Sequence, residues 1–485
     1  YSHLSSSKSM RYVTKEFNGF TNEWELQWHL TAVPFVAMFD ECQGLYSPKT
    51  LQTKAFYALL EASQKMPCKT VLFSATPFDT VDKAHAVVAS FRKPFTYSGR
   101  KFSVTCYRDW EEASAHICDD PKKSNGAAMS RLREAIKDNI CEIANVRWPA
   151  RARNRTLVVD FENEEAHNLY KNAFEVYKEN IAKLGRSVDN NPLAEFMALN
   201  VFSKAVEPLR GYAMVKAGLH TLNEGKAVVH GVRFKCTATD LVFRYLQAGY
   251  KREDITIIWG GGADFDEDNV FTDEEFKAYT HKLINKQSVS TAELRKLKRT
   301  ILFREEMLMS GTNRADTFNK YQTLSDLNMT GSQSSDKRWE EIKKFQAGKA
   351  KIAIFTIAAG GVGLSLDRNK PELLERVLFG GPCWSGPDYK QMLGRLVRRA
   401  TQPGYVDQYL CCMRGTMEEY SLVPVLGRKL SNMKEIGSSG IDPTEVLLRN
   451  DKIESEEITL EQLTKIAESD DSQLGVNTEE DEDDE

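Results

Sequence analysis

Phe35-Val-Ala-Met-Phe-Asp40-Glu41-Cys42-Gln43 is a run of five apolar residues followed at once by two carboxylates. A segment apolar at every position is apolar on both faces of a strand, the pattern of a strand buried in a parallel sheet. Asp40 and Glu41 would then stand at the carboxyl end of that strand, the edge at which open α/β sheets bind ligands. Six further runs read the same way: 70–73, 227–230, 255–258, 352–355, 376–379 and 408–413, each trailed by turn or helical spacing. Strands alternating with helices predict an α/β fold built on parallel sheets.

Between the second and third of these strands the period changes. Ala166, Leu169, Tyr170, Ala173, Phe174, Tyr177 and Ile181 recur at three and four residues and mark one face of a helix. This divides the chain into a first sheet domain over 1–105, a helical linker over 106–215 and a second sheet domain over 216–450. An interval over about 264–337, rich in Lys, Glu, Thr and Ser with helical spacing near Leu294 to Met309, reads as an insertion in the second domain. Residues 451–485 end in Glu479-Glu-Asp-Glu-Asp-Asp-Glu485 and are expected to be a disordered acidic tail.

The 485 residues are 41% hydrophobic and 28% charged, which excludes collagen-like, mostly disordered and disulfide-scaffold classes. No apolar run approaches the roughly 18 residues of a membrane span, and the start of the chain lacks a charged region followed by an apolar one. The expectation is an intracellular protein of cytoplasm or nucleus with no membrane partner. The nine cysteines form no CxxC pair, so neither zinc nor disulfides are expected. The net charge of -4 hides a split, because residues 451–485 carry 15 acidic and two basic side chains, leaving +9 on residues 1–450. A basic body suits a polyanionic partner, while the acidic tail equally serves solubility.

Four segments carry the chemistry. Asp40 and Glu41 are placed to hold a cation and to activate water, or form a solvated pair at a strand end. Ser74-Ala75-Thr76-Pro77 puts hydroxyls in a tight turn after the next strand, and any turn uses such residues. Ile354 to Asp367 is a strand running into Gly360-Gly361-Val-Gly363, where glycines let backbone amides approach a phosphate or ribose, or merely make a turn. Gln391-Met-Leu-Gly394-Arg395-Leu-Val-Arg398-Arg399 spaces Gln and Arg over one or two helical turns, so that arginines three apart share a face and can clamp a polyphosphate.

In this order and spacing the four segments resemble motifs II, III, V and VI of superfamily-two helicases and translocases. The SWI/SNF-type branch looks closest, including its viral and strawberry-notch-like members. Trp384-Ser-Gly-Pro387 resembles that branch's Trp-Asn-Pro, Ala359-Gly-Gly-Val-Gly363 its Ala-Gly-Gly-x-Gly, and residues 131–170 its helical linker. The resemblance spans about residues 1–430 and implies two RecA-like domains, the first incomplete, binding ATP and Mg²⁺ in the cleft between them. It assigns Asp40 to the metal, Glu41 to the attacking water, and Arg395 and Arg398 to the phosphates as arginine fingers. Gln391, Gly361, Gly363 and Asp367 fall on the nucleotide side. Ser74, Thr76, Thr356 and Ser365 fall on coupling or nucleic-acid contacts. His230 is a weaker candidate for which an ordinary strand position is the favoured reading.

The chain departs from the family in two motifs. Thr356-Ile357 replaces Ser-Thr before the glycines, and Gln43 replaces the usual histidine after motif II. No Gly-x-x-x-x-Gly-Lys-[Ser/Thr] occurs, and only 39 residues precede Asp40. Tyr1-Ser-His-Leu-Ser resembles the segment just before motif II, so the chain is expected to be an N-terminally incomplete stretch, its phosphate loop lying upstream or on another chain. The implied activity is an ATPase moving on double-stranded DNA, with RNA as the alternative substrate. A strand-separating helicase, or a non-hydrolysing scaffold, is the alternative function.

Overall fold

The computed structural model describes residues 13–18, 23–28, 35–39, 42–48, 50–64, 68–74, 78–139, 149–185, 192–259, 265, 268–284, 290–310, 312–327, 333–359, 364–398 and 400–435. The expectations for Asp40, Glu41, Thr76, Gly361, Gly363, Arg399 and the acidic tail fall outside these residues. The described parts of Tyr1–Ala152, Pro382–Tyr405 and Tyr420–Ile453 form one compact unit, and those of Arg153–Gly381 and Val406–Glu419 a second.

Unit 1 begins with an antiparallel pair, β1 (Val13–Asn18) and β2 (Glu23–Trp28). It continues with β3 (Phe35–Phe39), α1 (Leu51–Ala62), β4 (Cys68–Leu72), α2 (His85–Ser90), β5 (Phe95–Tyr97), β6 (Arg100–Phe102), α3 (Tyr107–Ile117) and α4 (Gly126–Ile136). Thr50 starts α1 by accepting the Thr53 N–H at 3.3 Å, and the helix then buries Phe56, Leu59 and Leu60 against Phe39 and Leu45. β3 and β4 pair in parallel from Phe35 opposite Cys68 to Phe39 opposite Leu72. The sequence predicts both faces of these strands buried, yet Val36, Met38, Val71 and Phe73 remain 56%, 66%, 37% and 37% exposed. Only one face of this pair meets the described core.

Unit 2 carries β7 (Ala150–Val159), α5 (Glu164–Gly185), α6 (Pro192–Val206), α7 (Gly211–Asn223), β8 (Ala227–Val232), α8 (Lys235–Gln247) and β9 (Ile255–Ile258). There follow α9 (Asp273–Ile284), α10 (Thr291–Ser310), α11 (Arg314–Asp326), α12 (Ser335–Gln346), β10 (Ile352–Thr356) and β11 (Arg376–Gly380). The chain then makes α13 (Gly386–Leu393) in unit 1, β12 (Gly404–Met413), which lies mostly in unit 2, and α14 (Val423–Glu435) in unit 1.

The protein is α/β. Its principal sheet has six strands in the order β7-β12-β11-β8-β10-β9, with β9, β10, β8, β11 and β12 mutually parallel. Ion pairs Arg153–Asp407 at one end and Arg414–Asp160 at the other show that β7 runs the same way as β12. Every residue of β8, β9, β10 and β11 is buried, as largely apolar strands covered on both faces require. Met214, Leu241, Val242 and Tyr245 from α7 and α8 pack on that sheet. Each such side chain taken fully out of water stabilises the fold by about 1.5–3 kcal/mol. Within the expected insertion, Phe303 of α10 and Tyr321 of α11 form a separate small core with Phe265 and Val270, which precede α9.

Candidate functional site

The carboxyl ends of β3 and β4 lie side by side. Phe73 N–H donates to Phe39 O at 2.8 Å, and Cys42 N–H donates back to Phe73 O at 3.0 Å. The residues flanking Asp40 and Glu41 are thereby stitched to the segment that enters Ser74, which is itself half-buried. The two strand ends predicted to carry the acidic pair and the hydroxylated turn thus share one edge.

The next described residues hold a feature that sequence reasoning missed. Asp79 is fully buried. Its Oδ1 accepts Lys83 Nζ at 2.5 Å, and its Oδ2 accepts the Gly386 N–H at 3.3 Å, at the start of α13. Asn432 of α14 donates through Nδ2 to Asp79 O at 3.0 Å and to Ser124 O at 2.7 Å. Lys429 donates to Trp384 O. Burial keeps the Lys429 ammonium below its usual range even though Asp79 pulls the other way. Gly386 is required by close approach: a Cβ there would meet Lys429 Cβ and Met433 Sδ at 3.2 Å. The sequence signal for Asp79 was an acid four residues before Lys83, an ordinary spacing, while the partners that bury it, Gly386 and Asn432, are more than 300 residues away.

This cluster fixes where the arginine-rich segment begins. Ser385 caps α13 by accepting the Asp388 N–H at 3.2 Å, and Pro387 occupies the first turn, where a missing N–H costs nothing. The expectation of one continuous helical face for Gln391, Arg395 and Arg398 holds only for Gln391. The helix stops at Leu393 with Gly394 as its cap, and Arg395 N–H reaches Met392 O in a tighter turn. Glycine supports a helix poorly, and the turn beyond it buries Leu396 and Val397 instead. Arg395 is buried and Arg398 half-buried, with Arg398 N–H donating to Thr401 Oγ1 at 2.7 Å. By contacts this whole segment belongs to unit 1, the unit that contains β3 and β4, and not to the six-stranded sheet beside which it lies in sequence.

In unit 2 the candidates separate. Thr356 ends β10 buried at the carboxyl edge, where Ile357 N–H donates to Val232 O at 2.8 Å. Ser365 and Asp367 sit elsewhere. Ser365 donates to Asp367 Oδ1, while Arg376 Nη1 donates to Leu366 O and Asp367 O, each at 2.7 Å, and its Nη2 to Phe345 O. Arg376 opens β11 and Phe345 closes α12, so this cluster belongs to the amino edge of the sheet. Burial lowers the Arg376 guanidinium to about 10 despite the pull of Asp367. The geometry brings Ser365 and Asp367 together and leaves them away from Thr356. His230 is wholly buried in β8, hydrogen-bonded through Nε2 to Tyr245 OH at 2.7 Å, and burial lowers it to about 3. It is a neutral core histidine.

The carboxyl edge of unit 2 is filled by an ion network that the sequence did not reveal. Glu207 accepts from the N–H groups of Arg233 and Phe234 at 2.8 and 2.9 Å, from Thr237 Oγ1 at 2.7 Å and from Arg210 Nη2 at 3.0 Å. Arg210 also donates to Glu418, whose other oxygen accepts the Met413 N–H at 3.1 Å. Burial works against the charge of Arg210, and Glu418 and Glu207 more than offset it, leaving its pKa raised. Gly381 lies flat against the guanidinium, where a Cβ would stand 1.9 Å from Nη2. The network thereby ties the ends of β8, β11 and β12 together. The signal available was Glu207 and Arg210 three apart in an otherwise apolar run.

Among the described residues no group of three or more His, Cys, Asp or Glu is placed to hold a metal ion, and no helix is long and apolar enough to cross a membrane. A cavity of about 790 Å³ elsewhere in unit 1, lined by Lys54, Tyr57, Arg92 and Thr105 among others, includes none of the candidate residues.

No family model and no curated protein matches the sequence. Among solved structures the chain is similar to the C-terminal part of the Fun30 ATPase domain, at 13% identity over 56% of this chain and 88% of that one, with a TM-score of 0.24. It is also similar to the Sulfolobus solfataricus SWI2/SNF2 ATPase core in complex with dsDNA, at 15% identity over 86% of this chain and 70% of that one, with a TM-score of 0.28. At such TM-scores neither likeness assigns a role to any residue here.

Proposed function

We propose that this chain is the motor part of a nucleic-acid-dependent ATPase that moves along double-stranded DNA, built on RecA-like domains. The observation that carries the reading is the arrangement within unit 1. Hydrogen bonds hold together the strand ends that flank Asp40, Glu41 and Ser74, and Asp79 anchors the start of the helix leading to Gln391, Arg395 and Arg398. Phosphoryl transfer needs a cation and water on one side and positive charge for the phosphates on the other, and the strand ends that flank the acidic pair and the helix that leads to the arginines belong to one unit.

In this reading Asp40 holds Mg²⁺. One carboxylate completed by phosphate oxygens and water suits that hard ion, which is rarely caged by protein ligands alone. The metal supplies charge neutralisation at the phosphates. Glu41 takes the proton of the attacking water, Arg395 and Arg398 stabilise the charge that develops, and Gln391 positions the nucleotide. Gly361 and Gly363 bring backbone N–H groups near it. Ser74, Thr76 and Thr356 relay the nucleotide state to the nucleic-acid side. Ser365 and Asp367 are assigned to support of the loop after β10, since their partners are on the chain itself.

The protein is expected to hydrolyse ATP faster with duplex DNA than with single strands, and to displace a triplex third strand while leaving a forked duplex paired. Glu41→Gln should abolish turnover while nucleotide binding persists, and Arg398→Ala should cost about 10³-fold or more in turnover. Parental rates in either variant would remove that residue from the chemistry. Efficient fork unwinding would favour the helicase alternative.

A further inference from the structure

The cavity of about 790 Å³ in unit 1 is a groove along α1. One wall is the helix face that carries Lys54, Tyr57 and Glu61, spaced by three and four residues. The other is the stretch Ser103 to Cys106 that joins β6 to α3, and Leu26, Leu60 and Val104 add apolar surface. A cation stands at each end. Lys54 lies in the first turn of α1, and Arg92 lies at its far end, where the guanidinium donates to Ser63 O at 3.1 Å and to Ser63 Oγ. Arg92 follows α2 in the left-handed region at φ 54, a position that glycine usually takes. From Lys54 to Ser63 the helix rises about 13 Å, the length of four extended residues.

The second wall begins as an open strand edge. Ser98 and Gly99, at φ 47 and 76, make the two-residue turn between β5 and β6, so Tyr97 and Arg100 are a hydrogen-bonded pair. Lys101 and Ser103 therefore turn their N–H and C=O groups away from β5. Among the described residues neither these groups nor those of Val104 make a hydrogen bond. Thr105 and Cys106 are engaged, their N–H groups donating to Asp109 Oδ2 at 2.7 and 3.1 Å. We propose that the groove takes an extended segment of a partner protein in which acidic and apolar residues alternate, added as a third strand beside β6 at Ser103. Alternate side chains of a strand point to opposite faces, so one set meets the apolar surface while the other reaches Lys54 and Arg92. Exposed Glu61 on the same rim selects against a uniformly acidic segment. The proposal does not rest on the ATPase reading, because the groove includes none of the residues assigned to that activity.

A fluorescent peptide Glu-Val-Glu-Val-Glu-Val, capped at both ends, tests this by anisotropy on the intact chain at low salt. Saturable binding is expected, with Lys-Val-Lys-Val-Lys-Val bound at least about tenfold more weakly. Lys54→Glu, at an exposed position, should weaken binding about tenfold, and Ser103→Pro should weaken it by deleting an N–H that the fold does not use. Unchanged unfolding midpoints serve as the folding control. Proline in place of the central valine of the peptide should weaken binding to the parental protein, a measurement that stands whether or not the Ser103 variant folds. Bound peptide should also slow the reaction of N-ethylmaleimide with exposed Cys106 on the groove wall and leave that of Cys118 unchanged. Absence of saturable binding, equal binding of the acidic and basic peptides, or a proline peptide held as tightly as the original overturns the proposal. Protection of Cys106 by benzoate equal to that by the peptide gives the groove to small organic anions and overturns it too.

Discussion

Arg210 shows how one side chain can hold an edge of a sheet. It is fully buried between Glu207 and Glu418, two carboxylates 211 positions apart in the chain; Glu207 also accepts the N–H groups of Arg233 and Phe234 after β8, and Glu418 that of Met413 at the end of β12. Arg210→Ala would leave both acids buried without their cation and is expected to destabilise unit 2 by about 3–5 kcal/mol in urea unfolding. A loss below about 1 kcal/mol would mean that the carboxylates find water or other donors. His230 makes the complementary case, a titratable group buried without charge. In the unfolded chain it takes up a proton near 6.5, and in the fold only near 3. Its contribution is therefore complete above pH 6.5 and is lost as pH falls from 6.5 towards 3, at up to about 1.4 kcal/mol per pH unit. Burial lowers His85 in unit 1 as well, so both units weaken in the same direction. His230→Gln should flatten the pH dependence of unit 2 over that window, and an unchanged slope would place the titration elsewhere.

Among the elements, α13 is the one whose position decides the candidate site, and its start is set by packing. Gly386 sits against Lys429, Met433 and Asp79, where a Cβ would stand 3.2–3.4 Å from their side chains. Gly386→Val is expected to cost about 1–3 kcal/mol through overpacking, read as a lower unfolding midpoint of unit 1. A variant as stable as the parent would show that α13 can shift without penalty. The strands were legible in the sequence because a largely apolar run of four to six residues has few other uses: β3, β8, β9, β10 and β11 begin where the runs begin. β12 starts four residues earlier than its apolar run, since Tyr405 and Gly404 are exposed strand residues that carry no apolar signal. β7 went unlocated because alternating Arg and small residues, Ala150-Arg-Ala-Arg-Asn-Arg155, look like a solvated segment until β12 covers one side. The end of α13 at Gly394 was readable from the glycine but was outweighed by the spacing of the arginines. Asp79, Glu207 and Glu418 were illegible for another reason. The near partners Lys83 and Arg210 look like ordinary solvated helical pairs, and the groups that bury them, Gly386, Asn432 and Glu418, lie hundreds of positions away and leave no local pattern.

For the molecule as a whole, the charge split of -13 on residues 451–485 against +9 on the rest acts through the ionic atmosphere. Removing residues 468–485 should tighten binding to nucleic acid most at low salt, where the Debye length reaches about 30 Å at 0.01 M, and hardly at all near 1 M. Equal affinity at low salt with and without those residues would limit them to solubility. The strand order has a consequence in time. β7 lies at one edge of the six-stranded sheet and pairs only with β12, while about 240 residues separate the two in the chain. At 5–20 residues per second a ribosome takes roughly 10 to 50 s to cover that distance. For that interval the nascent chain presents Leu157, Val158 and Val159 on a strand without its neighbour, and the segments that complete unit 1, α13 and α14, are also still unmade. Neither unit can close before the last tenth or so of the described chain has left the exit tunnel, so its synthesis calls for holding factors that keep open edges apart.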